Sequence, residues 1–319
     1  SRSRRERGQT PMSCQTLDLF PSHSRAPRLA LPTRCVRKTD FDPRMPTLDR
    51  ITIYPVKSLD GVDVDQCRVQ PCGALENDRR WRLVDTDGRV VNAKRTPRLH
   101  LIEAKYDLAR ERITLSERTA GPAEQAETFP IVSGPEGPCA WLSESLKKPV
   151  RLEEWCDGGF PDDLEAPGPT LVATASLAAV ASWFGIDLAE SRRRFRMNLE
   201  IEGCGAFWED VIASPTRRAV PSDPAGGASA EPRMFVFGSV RLRAERVCRR
   251  CPVPTRESRS GVITERFRET FESRRSTSLP TDVDTSGWSD LYRLGVNTRL
   301  VSNAVGAQSI HRGMPLGEA

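Results

Sequence analysis

The chain has 319 residues, 38% of them apolar, enough for one large domain or two ordinary ones around a substantial core. No stretch approaches the ~18–20 continuous apolar residues of a membrane-spanning helix. The net charge of +5 is unevenly placed: residues 1–44 hold ten basic and four acidic residues, and the remainder holds thirty-eight basic and thirty-nine acidic. A nucleic-acid-binding domain carries its basic excess on the fold itself, so the balance speaks against that class. Nine cysteines, odd in number and irregularly spaced, fit free thiols in a reducing, cytoplasmic compartment better than a disulfide framework. With only His23, His100 and His311 present, histidine-rich metal sites and most histidine-based catalysis have few candidates.

Residues 1–46 open with a Ser-, Arg- and Pro-rich tail without sustained periodicity, which predicts disorder. Its Arg-rich, acid-poor character also suits an organellar presequence. Met45, directly before the first ordered pattern, favours an over-extended start instead. From Leu48 the pattern is β: Ile51 and Ile53 alternate with polar residues until Tyr54-Pro55, and Val62 and Val64 begin another alternation. Trp81–Val84 and Arg89–Val91, joined through Asp87-Gly88, predict a hairpin. The pairs Leu99/Leu101 and Ile113/Leu115 suggest further strands, and 119–127 a polar loop. Leu142 and Leu146 mark one face of a short helix within 136–150. The Gly-, Pro- and Asp-rich stretch 157–169 makes a boundary between a first domain, 47–168, and a second, 169–317.

The second half begins with a helix that Thr174 or Ser176 can cap, with Leu177, Val180, Ala181 and Phe184 on its apolar face and Gly185 as its stop. In Phe195–Ile201 apolar and polar residues alternate, which predicts a strand with Arg196, Asn198 and Glu200 on one face. Residues 215–233 read as a loop, Val240–Ala244 as a strand, 262–275 as a helix carrying Phe267 and Phe271, and 295–316 as closing strands with a turn at Gly306.

Four stretches can carry chemistry. Cys248-Arg249-Arg250-Cys251-Pro252 sets two thiols beside two guanidiniums, which favour thiolate, and thiolates suit thiophilic metals. Zinc would need about four ligands, and only Cys67 and Cys72 offer a second pair. A redox pair would need a helix there, and Pro252, Pro254 and the polar stretch after them do not read as one; two structural cysteines remain the plain alternative. Lys57 and Ser58, leaving a strand, can bind a phosphate through charge and hydroxyl. Asp78-Arg79 enters a strand, where a surface ion pair worth ~0–1 kcal/mol is the simpler reading. Arg196 offers a planar fork for oxyanions and Asn198 a paired donor and acceptor for a heterocycle edge.

Taken in order, Ile53–Ser58, Asp78–Trp81, Thr174–Leu177, Arg194–Leu199, Phe207–Asp210, Cys248–Cys251 and Leu294–Asn297 resemble the MOSC family in its two-part form. The pattern is similar to that of mitochondrial amidoxime-reducing components and of the C-terminal domain of molybdenum cofactor sulfurases. The resemblance spans about residues 47–317. It implies a β-rich α+β fold, with a MOSC N-terminal β-barrel domain packed against a MOSC β-barrel domain and a molybdenum cofactor (Mo-molybdopterin) between them. It implies Cys251 as the metal ligand, with Lys57, Ser58, Arg79, Arg196 and Asn198 holding the pterin and its phosphate. Thr174 and Ser176 would suit the phosphate from a helix N-terminus, and Arg249, where relatives commonly carry a small polar residue, would lie near the metal or the substrate mouth. Met197 stands where proline is frequent. The implied activity is reduction of small N-hydroxylated compounds by a molybdenum-dependent oxidoreductase. Electrons would come from a separate ferredoxin-like or cytochrome b5-like protein, because no cysteine follows Cys251 to form a fused ferredoxin. Asp210 and Glu209 are the candidates for proton delivery, or for orienting arginines such as Arg196. A cofactor carrier or sulfur-transfer module would use the same pocket, and a surface binder would act through the basic tail.

Overall fold

A computed structural model describes residues 45–118, 126–214, 216–218, 229–231, 233–281, 283–301 and 308–318. The expected tail disorder, most of the 119–127 loop and the Gly306 turn lie outside these residues.

In chain order the first half supplies β1 (Thr47–Ile53), β2 (Val62–Val64), β3 (Gln66–Val69), β4 (Trp81–Val84), β5 (Val90–Val91), β6 (Ile102–Asp107), β7 (Arg112–Glu117), β8 (Glu127–Pro130), helix α1 (Cys139–Leu146) and β9 (Arg151–Glu154). The second half supplies β10 (Leu171–Ala173), α2 (Thr174–Phe184), α3 (Leu188–Phe195), β11 (Leu199–Glu202), α4 (Trp208–Ala213), β12 (Thr216–Arg218), β13 (Ser229–Glu231), β14 (Met234–Phe237), β15 (Val240–Arg249), α5 (Phe267–Ser278), β16 (Arg293–Leu300), β17 (Gln308–His311) and β18 (Gly317–Glu318). The fold is mixed α+β and strand-rich, with its strands shared among several sheets.

An eight-stranded sheet runs β18-β14-β15-β16-β10-β11-β1-β2. The first strand therefore lies between β2 of its own half and β11 of the second, antiparallel to both, with Ile51↔Val64 on one side and Leu48↔Ile201 and Ile51↔Leu199 on the other. Leu48, Ile51 and Ile53 are completely or almost completely buried, so the alternation of β1 is that of a strand with one face in the core. Strand β3 likewise pairs with the late β17, in the register Cys67↔Ile310. A second core, built from Trp81, Leu83, Ile113, Leu115, Leu142 and their neighbours, fills the first half. A third joins α2, α3 and α5 through Leu177, Phe195, Phe267 and Phe271.

The hairpin at 81–91 forms as its Asp-Gly turn predicts, with Leu83 opposite Val91. Gly185 ends α2 in the left-handed conformation, φ +62°, that glycine adopts without a Cβ penalty. Four readings are corrected. Leu99 and Leu101 lie in a short 3-10 turn, 97–101, which begins at Pro97 because proline suits the first helical positions. Residues 195–198 are not strand: α3 runs through Phe195, Arg196 caps it at φ +52°, and the strand starts only at Leu199. Neither Thr174 nor Ser176 caps α2; the N-cap is Ala173, without a side-chain bond. Within 215–233, β12 and β13 pair antiparallel, with Arg217 opposite Ala230.

Candidate functional site

A cavity of about 820 Å³ gathers residues from both halves of the chain. Its walls come from the segment after β1, the turn before β4, the loop between β9 and β10, the α3–β11 junction and the end of β15. Of the residues singled out in the sequence, Lys57, Ser58, Arg79, Arg196, Asn198, Arg249 and Cys251 all line it. Three of them, Ser58, Arg79 and Arg196, hold left-handed backbones at φ +77°, +51° and +52°. Non-glycine residues take that conformation at a cost of order 1 kcal/mol or more, a strain that concentrates at functional sites.

Tyr54 is the platform. It is 4% exposed, its hydroxyl donates to the Met197 carbonyl at 3.3 Å, and burial pushes its pKa up to about 12 against the pull of Arg196 and Arg79. The guanidinium of Arg196 lies 4.1 Å from its ring centre and that of Arg79 at 5.3 Å, so one aromatic ring holds two cations. Arg79 also forms an ion pair with Asp78, whose other oxygen accepts from the Tyr54 backbone at 2.8 Å. Asn198 is 2% exposed. Its Oδ1 accepts from the Thr170 amide and hydroxyl at 3.1 and 3.0 Å and from Arg79 at 3.4 Å, and its Nδ2 donates to the Thr52 carbonyl at 3.0 Å. One amide proton is left for a ligand. The geometry makes Asn198 first a support for Arg79.

Lys57 donates to the carbonyls of Phe160 and Pro161 at 2.9 and 3.4 Å and pairs with Asp162 at 3.0 Å. Asp162 is held well below the usual carboxylate range: the opposing desolvation is overcome by Arg79, Lys57 and Lys94. Three cations thus converge on one carboxylate, an arrangement that can equally take a phosphate. Gly159, at φ +64°, lets this loop pass: a Cβ there would lie 2.5 Å from the Asp78 carbonyl.

At the end of β15 the two cysteines differ. Cys248 is 4% exposed, its thiol donates to Asn297 Oδ1 at 2.8 Å, and burial pushes its pKa up to about 12. The thiolate expected beside two guanidiniums is therefore absent at Cys248, because desolvation outweighs the help from Arg250. Asn297 in turn donates to Asp163 at 3.0 Å, and Asp163 pairs with Arg246, so the strand end is tied to the loop across the cavity. Cys251, half-buried and three residues on, is part of the cavity wall with a free thiol. Arg249 points outward to Asp290 at 2.8 Å and is 60% exposed.

Three readings from the sequence fall elsewhere. Ser176 is fully buried, donates to Glu209 at 2.8 Å and accepts from the Phe207 amide at 2.6 Å. Thr174 donates to the Ile201 carbonyl at 3.2 Å. Asp210 is fully buried and pairs with Arg275 at 2.5 Å, not with Arg196. None of the three lines the cavity. Sequence reading also missed His100, Asp162, Asp163 and Arg256, all of which do line it. The acidic pair lay in a stretch whose Gly and Pro content signals only a boundary, and lone His and Arg residues carry no local pattern.

The model of the MOSC N-terminal beta barrel domain family matches residues 45–134. The chain therefore carries a MOSC N-terminal beta barrel domain over that span. It is distantly similar to mitochondrial amidoxime-reducing component 1 of Homo sapiens, at 25% identity over 302 residues that cover 83% of this chain and 81% of that protein. Mitochondrial amidoxime reducing component 2 of Homo sapiens is 24% identical over 251 residues, 68% of each chain. Molybdenum cofactor sulfurase of Danio rerio is 30% identical over 208 residues, which cover 51% of this chain but only 25% of that longer protein.

Proposed function

We propose that this protein is a molybdenum-cofactor oxidoreductase that reduces N-hydroxylated compounds. One observation carries the reading: Cys251, just after β15, lines the same cavity as Lys57, Arg79 and Arg196. A phosphate-bearing pterin with a thiophilic metal needs that combination of a soft ligand and clustered cations. The distant similarity to amidoxime-reducing components supports the choice of reaction.

Lys57 and Arg79 would hold the phosphate, with Arg196 beside them over the Tyr54 ring. For this the phosphate takes the place that Asp162 occupies between the cations. Ser58 has its hydroxyl against the Ala93 amide at 3.2 Å and keeps a proton to donate. Cys251 would ligate molybdenum, and Asn198 would fix Arg79. When bound, the cofactor supplies the two-electron chemistry at the N–O bond, while the protein binds, orients and sets the local field. Asp210 and Glu209 stay behind the cavity as framework, and electrons come from a separate donor protein.

A carrier or sulfur-transfer module would bind the same cofactor without turnover. Protein loaded with cofactor and supplied with an artificial reductant separates the two. Steady reduction of benzamidoxime to benzamidine is expected. Bound molybdenum with no turnover would favour the carrier.

A further inference from the structure

The cations of the cavity fall into two groups. Lys57, Arg79 and Lys94 surround Asp162. Arg256 instead stands by His100, on the 3-10 turn that follows β5: Gly261, whose carbonyl its guanidinium reaches, packs beside the His100 side chain. The first group already holds an anion; Arg256 does not. Among the described residues, neither Arg196 nor Arg256 has a carboxylate within ion-pair distance. Arg256 donates one nitrogen to the Gly261 carbonyl at 2.9 Å, leaving the rest of its fork open.

Two acids of this region, Asp60 and Glu190, are already engaged. Asp60 pairs with Arg118, and Glu190 pairs with Arg193 and Arg194 and also accepts the Ser258 hydroxyl at 2.5 Å. His100 adds an independent sign of a missing ligand. It is 8% exposed, its Nδ1 lies 3.3 Å from the Ser258 carbonyl, and its buried Nε2 has no partner. Burial, then the charges of Arg196, Arg256 and Arg118, hold its pKa below the ordinary 6.5, so the ring is neutral and adds no acid of its own. Uncompensated guanidiniums around a buried ring are costly unless an anion joins them. A single phosphate at the Lys57 group, with Arg196 beside it, leaves Arg256 unmatched.

We propose that the substrate is an anion, an N-hydroxylated compound bearing a carboxylate or phosphate that Arg256 receives at the His100 corner. This rests on the reading of the cavity as a molybdenum-cofactor site for N-hydroxylated substrates. Arg256 is then a specificity residue: it selects charge on the part of the substrate remote from the N–O group.

The test is calorimetric binding of two probes, benzamidoxime and 4-carboxybenzamidoxime, to the full-length protein at 150 mM salt, with molybdenum content measured on the same sample. A charge-assisted hydrogen bond predicts that the carboxylate binds roughly tenfold tighter than the neutral amidoxime. Arg256→Gln should reduce that ratio to below about threefold, and Arg256→Lys, which keeps charge but not the fork, should fall between. A wild-type ratio below about threefold, or a ratio that survives both substitutions, overturns the proposal. So does released cofactor carrying two phosphates per molybdenum, since the second would then fill this corner. Because the readout is binding, charge preference in protein without molybdenum would refute the cofactor reading alone. Molybdenum-loaded protein with no charge preference would refute this inference alone.

Discussion

Glu209 allows a stability prediction with a definite pH signature. Its side chain is fully buried. One oxygen accepts from the Ser176 hydroxyl at 2.8 Å, and the other has no partner. Burial first, then the neighbouring Asp210 carboxylate, push its pKa up from 4.5 to about 7. Between those values the folded chain keeps a proton that the unfolded chain has released. Stability therefore falls as pH rises from about 4.5 to about 7, and stays lower above. At about 1.4 kcal/mol per pKa unit, the loss is roughly 3 kcal/mol. Glu209→Gln abolishes the ionisation, keeps the Ser176 contact, and places an amide where an oxygen stood unpartnered, at a cost of about 1 kcal/mol. The variant should be roughly 2 kcal/mol more stable than wild type at pH 8 and roughly equal to it at pH 5, where wild type has already lost about 1 kcal/mol. Urea unfolding followed by tryptophan fluorescence at pH 5, 6.5 and 8 gives both curves. Curves that run parallel across this range would refute the reasoning, because only wild type carries the Glu209 carboxyl with its raised pKa.

Two further substitutions probe the cavity wall. Gly159→Ala forces a Cβ to within 2.5 Å of the Asp78 carbonyl at a left-handed backbone. It should cost roughly 2 kcal/mol in urea unfolding and weaken pyrophosphate binding by displacing Asp162 and Arg79; unchanged stability would mean that the loop has room to shift. Asp162→Asn removes the anion that competes for Lys57 and Arg79. Because this side chain is 60% exposed, the gain should be modest, roughly a threefold rise in pyrophosphate affinity by calorimetry, and a fall would show that Asp162 assists anion binding.

Local features of the fold were legible where local chemistry decides them. The Asp87-Gly88 turn, the stop at Gly185 and the helix carrying Phe267 and Phe271 follow from backbone preference and apolar spacing. Phe195–Ile201 failed because its alternation is accidental to two structures: Phe195 faces the helical core from α3, and Leu199 and Ile201 face the sheet core from β11. Arg196 turns between them at a positive φ that residue type does not announce. The pairing of β1 with β11 and of β3 with β17 is a long-range choice without local signal. In the site, Lys57, Arg79 and Cys251 were found as residues of distinctive chemistry in recognisable motifs. Ser176 was misplaced because a hydroxyl in the first turn of a helix serves a buried carboxylate as readily as an anion from solvent. Cys248 was misjudged because sequence shows the neighbouring guanidiniums but not the burial that outweighs them.

The most direct measurement is elemental analysis of the purified protein from cells that make the molybdenum cofactor, with Cys251→Ala prepared alongside. Wild type should carry close to one molybdenum per chain, and Cys251→Ala, with the cation cluster intact but the sulfur gone, should retain little. Wild-type protein with no molybdenum, or a Cys251→Ala protein loaded as fully as wild type, would contradict the role given to this thiol.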